Sequence, residues 1–295
     1  MVKLYQGETC MKILTEQRCF IGEGPVWNDK ENILCFTNGG GREICCYDIL
    51  KERLSVRKLP FDVAAIAYDT ENRMIVSHKD GVHILNPDNS LSPIYDDSVY
   101  KIRCANDMKV GPDGAIYVGT QSGKRIGVSD KIDGKLYRIA PDGNVTVLLD
   151  GLILSNGMDW SVDETKYYHT DSDTGLIREY DFDKLSGSIS FTGREFFVKG
   201  VDGFTVDRAD KLFVGCWGQG HVAVVDTKMM ETVDYIPVPC KIPASCGFCG
   251  ENMDILAITT ASYKEDVSED VYAGYTLLHK PEAYGRKPYL FGALR

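Results

Sequence analysis

A two-strand pattern recurs six times along this chain, and a recurrence of that period constrains the fold more than any other feature of the sequence. The copies are EGPVWNDKENILCFTN from Glu23, AAIAYDTENRMIVSH from Ala64, NDMKVGPDGAIYVGT from Asn106 and NGMDWSVDETKYYHT from Asn156. Two more are DGFTVDRADKLFVGCW from Asp202 and SCGFCGENMDILAITT from Ser245. Successive anchors lie 41, 42, 50, 46 and 43 residues apart. Each copy is a short strand, a turn of Asp, Asn, Gly or Pro, and a returning strand, which is a β-hairpin signature. Further strand pairs fill the gaps: Lys135 to Ile139 with Val145 to Leu149, Arg178 to Phe182 with Glu195 to Val198, and His221 to Val225 with Thr232 to Ile236. Four short strands in each unit of about 40–50 residues are what a propeller blade requires. The pattern predicts an all-β chain, a six-bladed β-propeller with four antiparallel strands per blade, as a single domain over residues 1–295. The sixth unit has only one further strand, near Tyr275 to His279. A strand around Met11 to Thr15 is expected to complete the last blade and remove the exposed edge.

In a propeller the first strand of each blade lines the central channel, so the six anchors are expected at one end of it. Glu23, Ala64, Asn106, Asn156, Asp202 and Ser245 bring two carboxylates and two amides to that axis. Singly, each reads as a strand cap or a ligand of channel water, and Asn156-Gly157 as a common turn dipeptide. As a set, two buried carboxylates close together are costly without a cation. A bound cation with Asn156 among its ligands is the less costly arrangement. An all-oxygen donor set suits Ca2+ first, with Mg2+ and Mn2+ as further choices and Zn2+ tolerated. Too few protein oxygens are on offer for a full Ca2+ shell, which leaves room for water or substrate. Asn38, His78, Gln121, Asp171 and Trp217 end the returning strands and are expected on the same face. The longest spacing places its surplus at Ser122 to Asp133, which reads either as a lid or as a plain solvated loop.

Composition narrows the function classes. The 295 residues are 43% hydrophobic, carry a net charge of −10, and contain no basic run. That argues against a nucleic-acid partner. No stretch approaches the eighteen or so apolar residues of a membrane span, and no signal peptide is read at the N-terminus. A cytoplasmic protein with reduced thiols is therefore expected from the ten cysteines. Cys246 and Cys249 have dithiol-motif spacing but sit in a strand-like run, and with Cys240 they lack a fourth zinc ligand. All three read as buried structural cysteines. The five histidines read as structural or surface residues. Oligomeric state is not set by the sequence.

GEGPVW at Gly22 to Trp27, SNGMDWS at Ser155 to Ser161 and VDGFTVDRADKLFVG from Val201 resemble, in order and separation, the metal motifs of the regucalcin (senescence marker protein), gluconolactonase and luciferin-regenerating enzyme family. The likeness covers residues 20 to 262. It implies one divalent metal ion held by Glu23, Asn156 and Asp202. It also implies that Asn106 contacts substrate, that Asp202 is the catalytic base, and that the reaction is hydrolysis of a sugar lactone. Relatives place an arginine two residues before the substrate-contacting Asn, whereas Arg103 here stands three before Asn106. Where some relatives carry an acidic contact, this chain has Ser122-Gly123-Lys124.

The implied chemistry is coherent. A metal polarises the lactone carbonyl and stabilises the oxyanion, while Asp202 takes a proton from the attacking water. A metal-bound hydroxide is the alternative nucleophile. Two other functions fit the same features: a metal-dependent phosphotriester or aryl-ester hydrolase, and a non-enzymatic calcium-binding protein.

Overall fold

The structure, a computed structural model, describes residues 11–293; residues 1–10, with Cys10 among them, and 294–295 lie outside the described residues. The chain begins with a two-residue strand, β1 (Lys12–Ile13), and continues into β2 (Ile21–Asn28), β3 (Ile33–Gly39), β4 (Glu43–Asp48) and β5 (Arg53–Lys58), which form one sheet in that order. β6 (Ala65–Tyr68), β7 (Met74–His78), β8 (Gly81–Leu85) and β9 (Leu91–Pro93) form the second. The third comprises β10 (Ala105–Val110), β11 (Ile116–Thr120), β12 (Gly134–Ile139) and β13 (Val145–Leu152). The fourth comprises β14 (Ser155–Trp160), β15 (Lys166–Asp171), β16 (Leu176–Asp183) and β17 (Ser188–Phe197). The fifth is β18 (Val201–Val206), β19 (Lys211–Cys216), β20 (His221–Asp226) and β21 (Glu231–Pro237). In the sixth, β22 (Pro243–Cys249), β23 (Ile255–Thr260) and β24 (Leu277–His279) are joined by β1, with Lys12 opposite Leu278. Six four-stranded antiparallel sheets, the last completed from the N-terminal side, make this an all-β six-bladed propeller. Helix among the described residues is confined to a 3-10 turn, Ser172–Thr174, and no helix is long and apolar enough to cross a membrane.

Two compact units contain these sheets. Of the described residues, those up to 62 and 196–287 hold the first, fifth and sixth; those in 63–195 and from 288 on hold the second, third and fourth, with the end of β17 crossing the boundary. In the first unit a hydrophobic core is built from Trp27, Phe36, Phe213, Phe248 and Met11 among others. In the second, one cluster lies around Ile75, Ile102 and Ile116 and another around Tyr117, Trp160 and Tyr167.

Four of the inner hairpins close through the same local chemistry. Asn28, Asp69, Asp163 and Asp207 accept hydrogen bonds from backbone N–H groups two to four residues ahead, as in Asp69 Oδ1 from Arg73 at 2.8 Å and Asp207 Oδ1 from Lys211 at 2.8 Å. Every one of the six turns then carries a residue at positive φ: Asn32, Asn72, Gly114, Glu164, Asp210, and in the sixth both Gly250 and Met253. Asn, Asp and Gly tolerate that region; Glu164 and Met253 occupy it against their steric preference.

The thiols depart from expectation at one point. Cys35 and Cys46 face each other in register on β3 and β4, with Cα atoms 4.2 Å apart, and form a disulfide. The expectation that all thiols are reduced is thereby corrected; the register, unreadable from composition, brings these two together. Cys19, Cys45, Cys216, Cys240, Cys246 and Cys249 are buried and outside the disulfide.

Candidate functional site

The inner strands that carry the sequence-predicted site residues share an irregularity. In β10 the pairing shifts between Ala105 and Met108, in β14 between Ser155 and Met158, and in β18 between Val201 and Phe204. Two residues of each inner strand thus face one residue of its neighbour. Asn106, Asn156 and Asp202 are the first of the two displaced residues. In β2 the shift falls between Glu23 and Val26, so Glu23 is the last residue in register. A bulge of this kind bends the strand and re-aims its side chains. Pro25, with no N–H to donate, sits in the bulge of β2, where the ladder asks nothing of it. β6 pairs regularly from Ala65 to Tyr68, and its anchor Ala64 bears no polar side chain.

In the first unit, Asp202 is 5% exposed and Glu23 is half-buried. Cys216, opposite Val201, is pushed to about 12 by burial, with the Asp202 charge adding to the shift, so Asp202 lies beside a neutral thiol. Gly203 is required next to it, because a Cβ there would lie 2.2 Å from Ser245 Oγ on the adjacent inner strand. The anchor Ser245 is itself buried and falls at the pairing shift of β22.

In the second unit, Asn156 is 6% exposed. Asn106 is held from two sides: its Nδ2 donates to the Ser155 carbonyl at 3.0 Å, and its Oδ1 accepts from Gln121 Nε2 at 3.2 Å. Ser155 Oγ lies 2.7 Å from His169 Nε2. Burial holds that imidazole down at about 3, and the Arg178 charge lowers it further, so it is neutral and serves as a fixed hydrogen-bonding partner. Ser155 and His169 were not singled out in the sequence. Ser155 does stand inside the SNGMDWS motif, whereas nothing in strand alternation distinguishes His169.

The strand-end residues divide by task. Gln121 orients Asn106. The Asp171 carboxylate accepts from the N–H groups of Ile153 at 2.8 Å and Leu154 at 2.9 Å, which commits both oxygens to the connection before β14. Asn38 accepts from Phe20 N–H at 2.7 Å and donates to Glu43 at 2.9 Å. His78 Nε2 is 2.9 Å from His83 Nδ1; burial and that neighbour bring His78 to about 4. Arg103 forms a two-point pair with Asp97, at 2.7 and 2.8 Å, and donates to the Ile102 carbonyl. The extra residue between Arg103 and Ala105 is Cys104, at φ +55°, which re-aims the chain just before β10.

The segment after Gln121 folds back on its base. Gly123 N–H donates to Asp133 at 2.8 Å, Lys124 N–H donates to the Lys131 carbonyl, and Arg125 pairs with Asp173 at 3.6 Å. No group of three or more His, Cys, Asp or Glu side chains gathers among the described residues.

Comparison with known proteins places this arrangement. Residues 21–262 match the family described as the SMP-30/Gluconolactonase/LRE-like region. A Bacillus subtilis protein named "Putative sugar lactone lactonase YvrE" is 27% identical over 292 residues, covering 94% of this chain and 96% of its own. Regucalcin of Bos taurus is 26% identical over 282 residues, covering 93% and 92%. Among solved structures, a calcium-binding regucalcin from Agrobacterium tumefaciens superposes with a TM-score of 0.85 at 23% identity, over 97% of this chain and 98% of that one. The motifs of β2, β14 and β18 all fall inside the matched span, and the chain belongs to the SMP-30/gluconolactonase/luciferin-regenerating enzyme family.

Proposed function

We propose that this protein is a divalent-metal-dependent hydrolase of sugar lactones, that residues 1–295 act as one propeller domain, and that Glu23, Asn156 and Asp202 hold the ion. The observation that carries this reading is the bulge common to β10, β14 and β18, which displaces Asn106, Asn156 and Asp202 at the same step of the repeat. Donor chemistry fits: two carboxylates and an amide oxygen are hard ligands, suited to Ca2+ and also to Mg2+ or Mn2+, less so to Zn2+. Asp202 and Asn156 are buried, and a buried carboxylate is stabilised by a cation it can ligate. When bound, the ion supplies Lewis acidity toward the lactone carbonyl and charge to match the developing oxyanion.

The chain's own residues supply the rest. Asp202 accepts the proton of the attacking water, shielded from bulk solvent by its burial. Asn106 presents to substrate the second N–H of its amide, since the first is committed to the Ser155 carbonyl. Gln121 and the neutral His169–Ser155 pair hold that amide in place, so orientation is set before substrate arrives. Arg103 reaches substrate or the product carboxylate by exchanging its Asp97 partner for it, like for like. Lactone hydrolysis assayed across Ca2+, Mg2+, Mn2+ and Zn2+, with a phosphotriester and an aryl ester in parallel, tests the assignment. Turnover confined to the phosphotriester or aryl ester would replace it, and binding of Ca2+ with no turnover of any substrate would make the protein a calcium binder.

A further inference from the structure

Three aromatic rings stand at the strand ends that lead to Glu23 and Asp202, all within the first compact unit. Phe20 immediately precedes β2, Trp217 immediately follows β19, and Tyr263 follows β23. Phe20 and Tyr263 meet edge to face with centroids 5.4 Å apart, and Trp217 and Tyr263 lie 6.2 Å apart. The backbone fixes each ring beside a site strand. Trp217 N–H donates to the Gly200 carbonyl at 2.6 Å, one residue before β18, and Ser262 N–H donates to the Phe20 carbonyl at 3.0 Å. The Phe20 ring is seated on Gly40, where a Cβ would come within 2.5 Å of it. Yet Phe20 remains 45% exposed, and Trp217 and Tyr263 are only partly covered.

Lys264 Nζ lies over the Tyr263 ring, 4.9 Å from its centroid. Other polar groups in the same neighbourhood are already used. The Asn38 amide is engaged by Phe20 N–H and Glu43, Ser262 Oγ donates to the Cys19 carbonyl at 2.9 Å, and Gln219 Nε2 donates to the Trp217 carbonyl. What this wall offers a small molecule is therefore the face and edge of Phe20 and Trp217, with Tyr263 packed against both rings beneath the Lys264 ammonium. Pockets that take small ligands combine such apolar area with a few placed polar groups.

We infer that Phe20, Trp217 and Tyr263 form a specificity wall, and that the preferred lactone carries an aryl or alkyl face that packs against it. This rests on the lactonase reading and narrows its substrate class from sugar lactones in general to lactones with an apolar substituent. The three rings act on specificity through contact with the part of the substrate that does not react.

Two readouts test the wall. The first is kcat/KM for dihydrocoumarin, an aryl-fused lactone, against glucono-1,5-lactone at saturating Ca2+, in wild type, Trp217→Ala and Tyr263→Leu. The expected result is a loss on dihydrocoumarin at least about 10-fold greater than the loss on gluconolactone, the scale on which an apolar contact discriminates. The second needs no turnover. Of the three tryptophans, Trp27 and Trp160 are buried, at 2% and 0% exposure, so Trp217 is the one a ligand can reach. Dihydrocoumarin should change the intrinsic fluorescence saturably in wild type, and the change should vanish in Trp217→Phe. Saturable fluorescence without hydrolysis of any lactone would sink the lactonase reading and leave the wall standing. Hydrolysis of both lactones with equal losses in the variants, or with no Trp217 signal, overturns the wall and leaves the lactonase reading intact. Neither signal would overturn both.

Discussion

Asp202→Asn keeps the size of the side chain and one oxygen ligand but removes a charge and the basicity. With Asp202 as proton acceptor, lactone turnover at saturating metal should fall by about 10²-fold or more. Undiminished turnover would take the base role from Asp202. Asn106→Ala should behave differently, raising KM or lowering kcat while a metal titration stays close to wild type, because the amide held by Ser155 and Gln121 is the one we propose contacts substrate rather than the ion. The cysteines of the dithiol-like motif should be silent. Cys246 donates to the Phe213 carbonyl inside the core, and burial pushes Cys249 to about 12, so Cys249 offers no thiolate and the Cys246 Sγ is engaged within the core. Replacing both with Ala should leave specific activity within a few-fold of wild type. Loss of activity in a folded, metal-loaded variant would restore the redox or zinc reading. At this scale the sequence singles out Glu23, Asn156 and Asp202 by residue type, and the structure buries Asn156 and Asp202 and half-buries Glu23. The sequence was silent on partners: nothing in Arg103-Cys104-Ala105 announces the Asp97 pair, which depends on where a left-handed Cys104 sends the chain.

The hairpin is the element that organises the site, and its two ends carry different information. Turn ends were readable because Asn, Asp and Gly close them by side-chain bonds and positive φ, both properties of residue type. Site ends were only half readable. The repeat singled out Asn106, Asn156 and Asp202 as anchors, but the bulges beneath them arise from register, which one strand's sequence does not reveal. The same limit hid the His169–Ser155 contact, which joins the returning strand β15 to the bulge of β14. That contact has a measurable consequence. His169 titrates at about 3 in the folded protein against 6.5 ordinarily. The unfolded chain therefore binds the extra proton between those values, and stability falls as pH drops from about 6.5 toward 3. Each pH unit in that window costs about 1.4 kcal/mol for one such group. His78, lowered to about 4, adds a second contribution over a narrower range. Chemical denaturation from pH 7 to 4.5 should show this loss, and His169→Gln should flatten part of it. An equal slope in the variant would mean that His169 is not the group responsible.

For the whole molecule, six repeats of 41 to 50 residues and a fold closed from its N-terminal side were foreseeable, since a sixth unit short of one strand must find it elsewhere. β1 supplies it with two residues, the shortest strand among the described residues. The division into two compact units, and the disulfide of Cys35 with Cys46, were not foreseeable, because both depend on contacts between segments that local pattern does not relate. The central claim is that an ion held by Glu23, Asn156 and Asp202 makes this propeller a lactone hydrolase. Its most direct test is the hydrolysis of glucono-1,5-lactone and dihydrocoumarin by the full chain, first after exhaustive chelation and then after addition of Ca2+, Mg2+, Mn2+ or Zn2+ singly. Activity on a lactone should disappear with the metal and return with at least one ion, Ca2+ first among them. Undiminished hydrolysis by the metal-free protein, or no lactone turnover with any of the four ions, would contradict it.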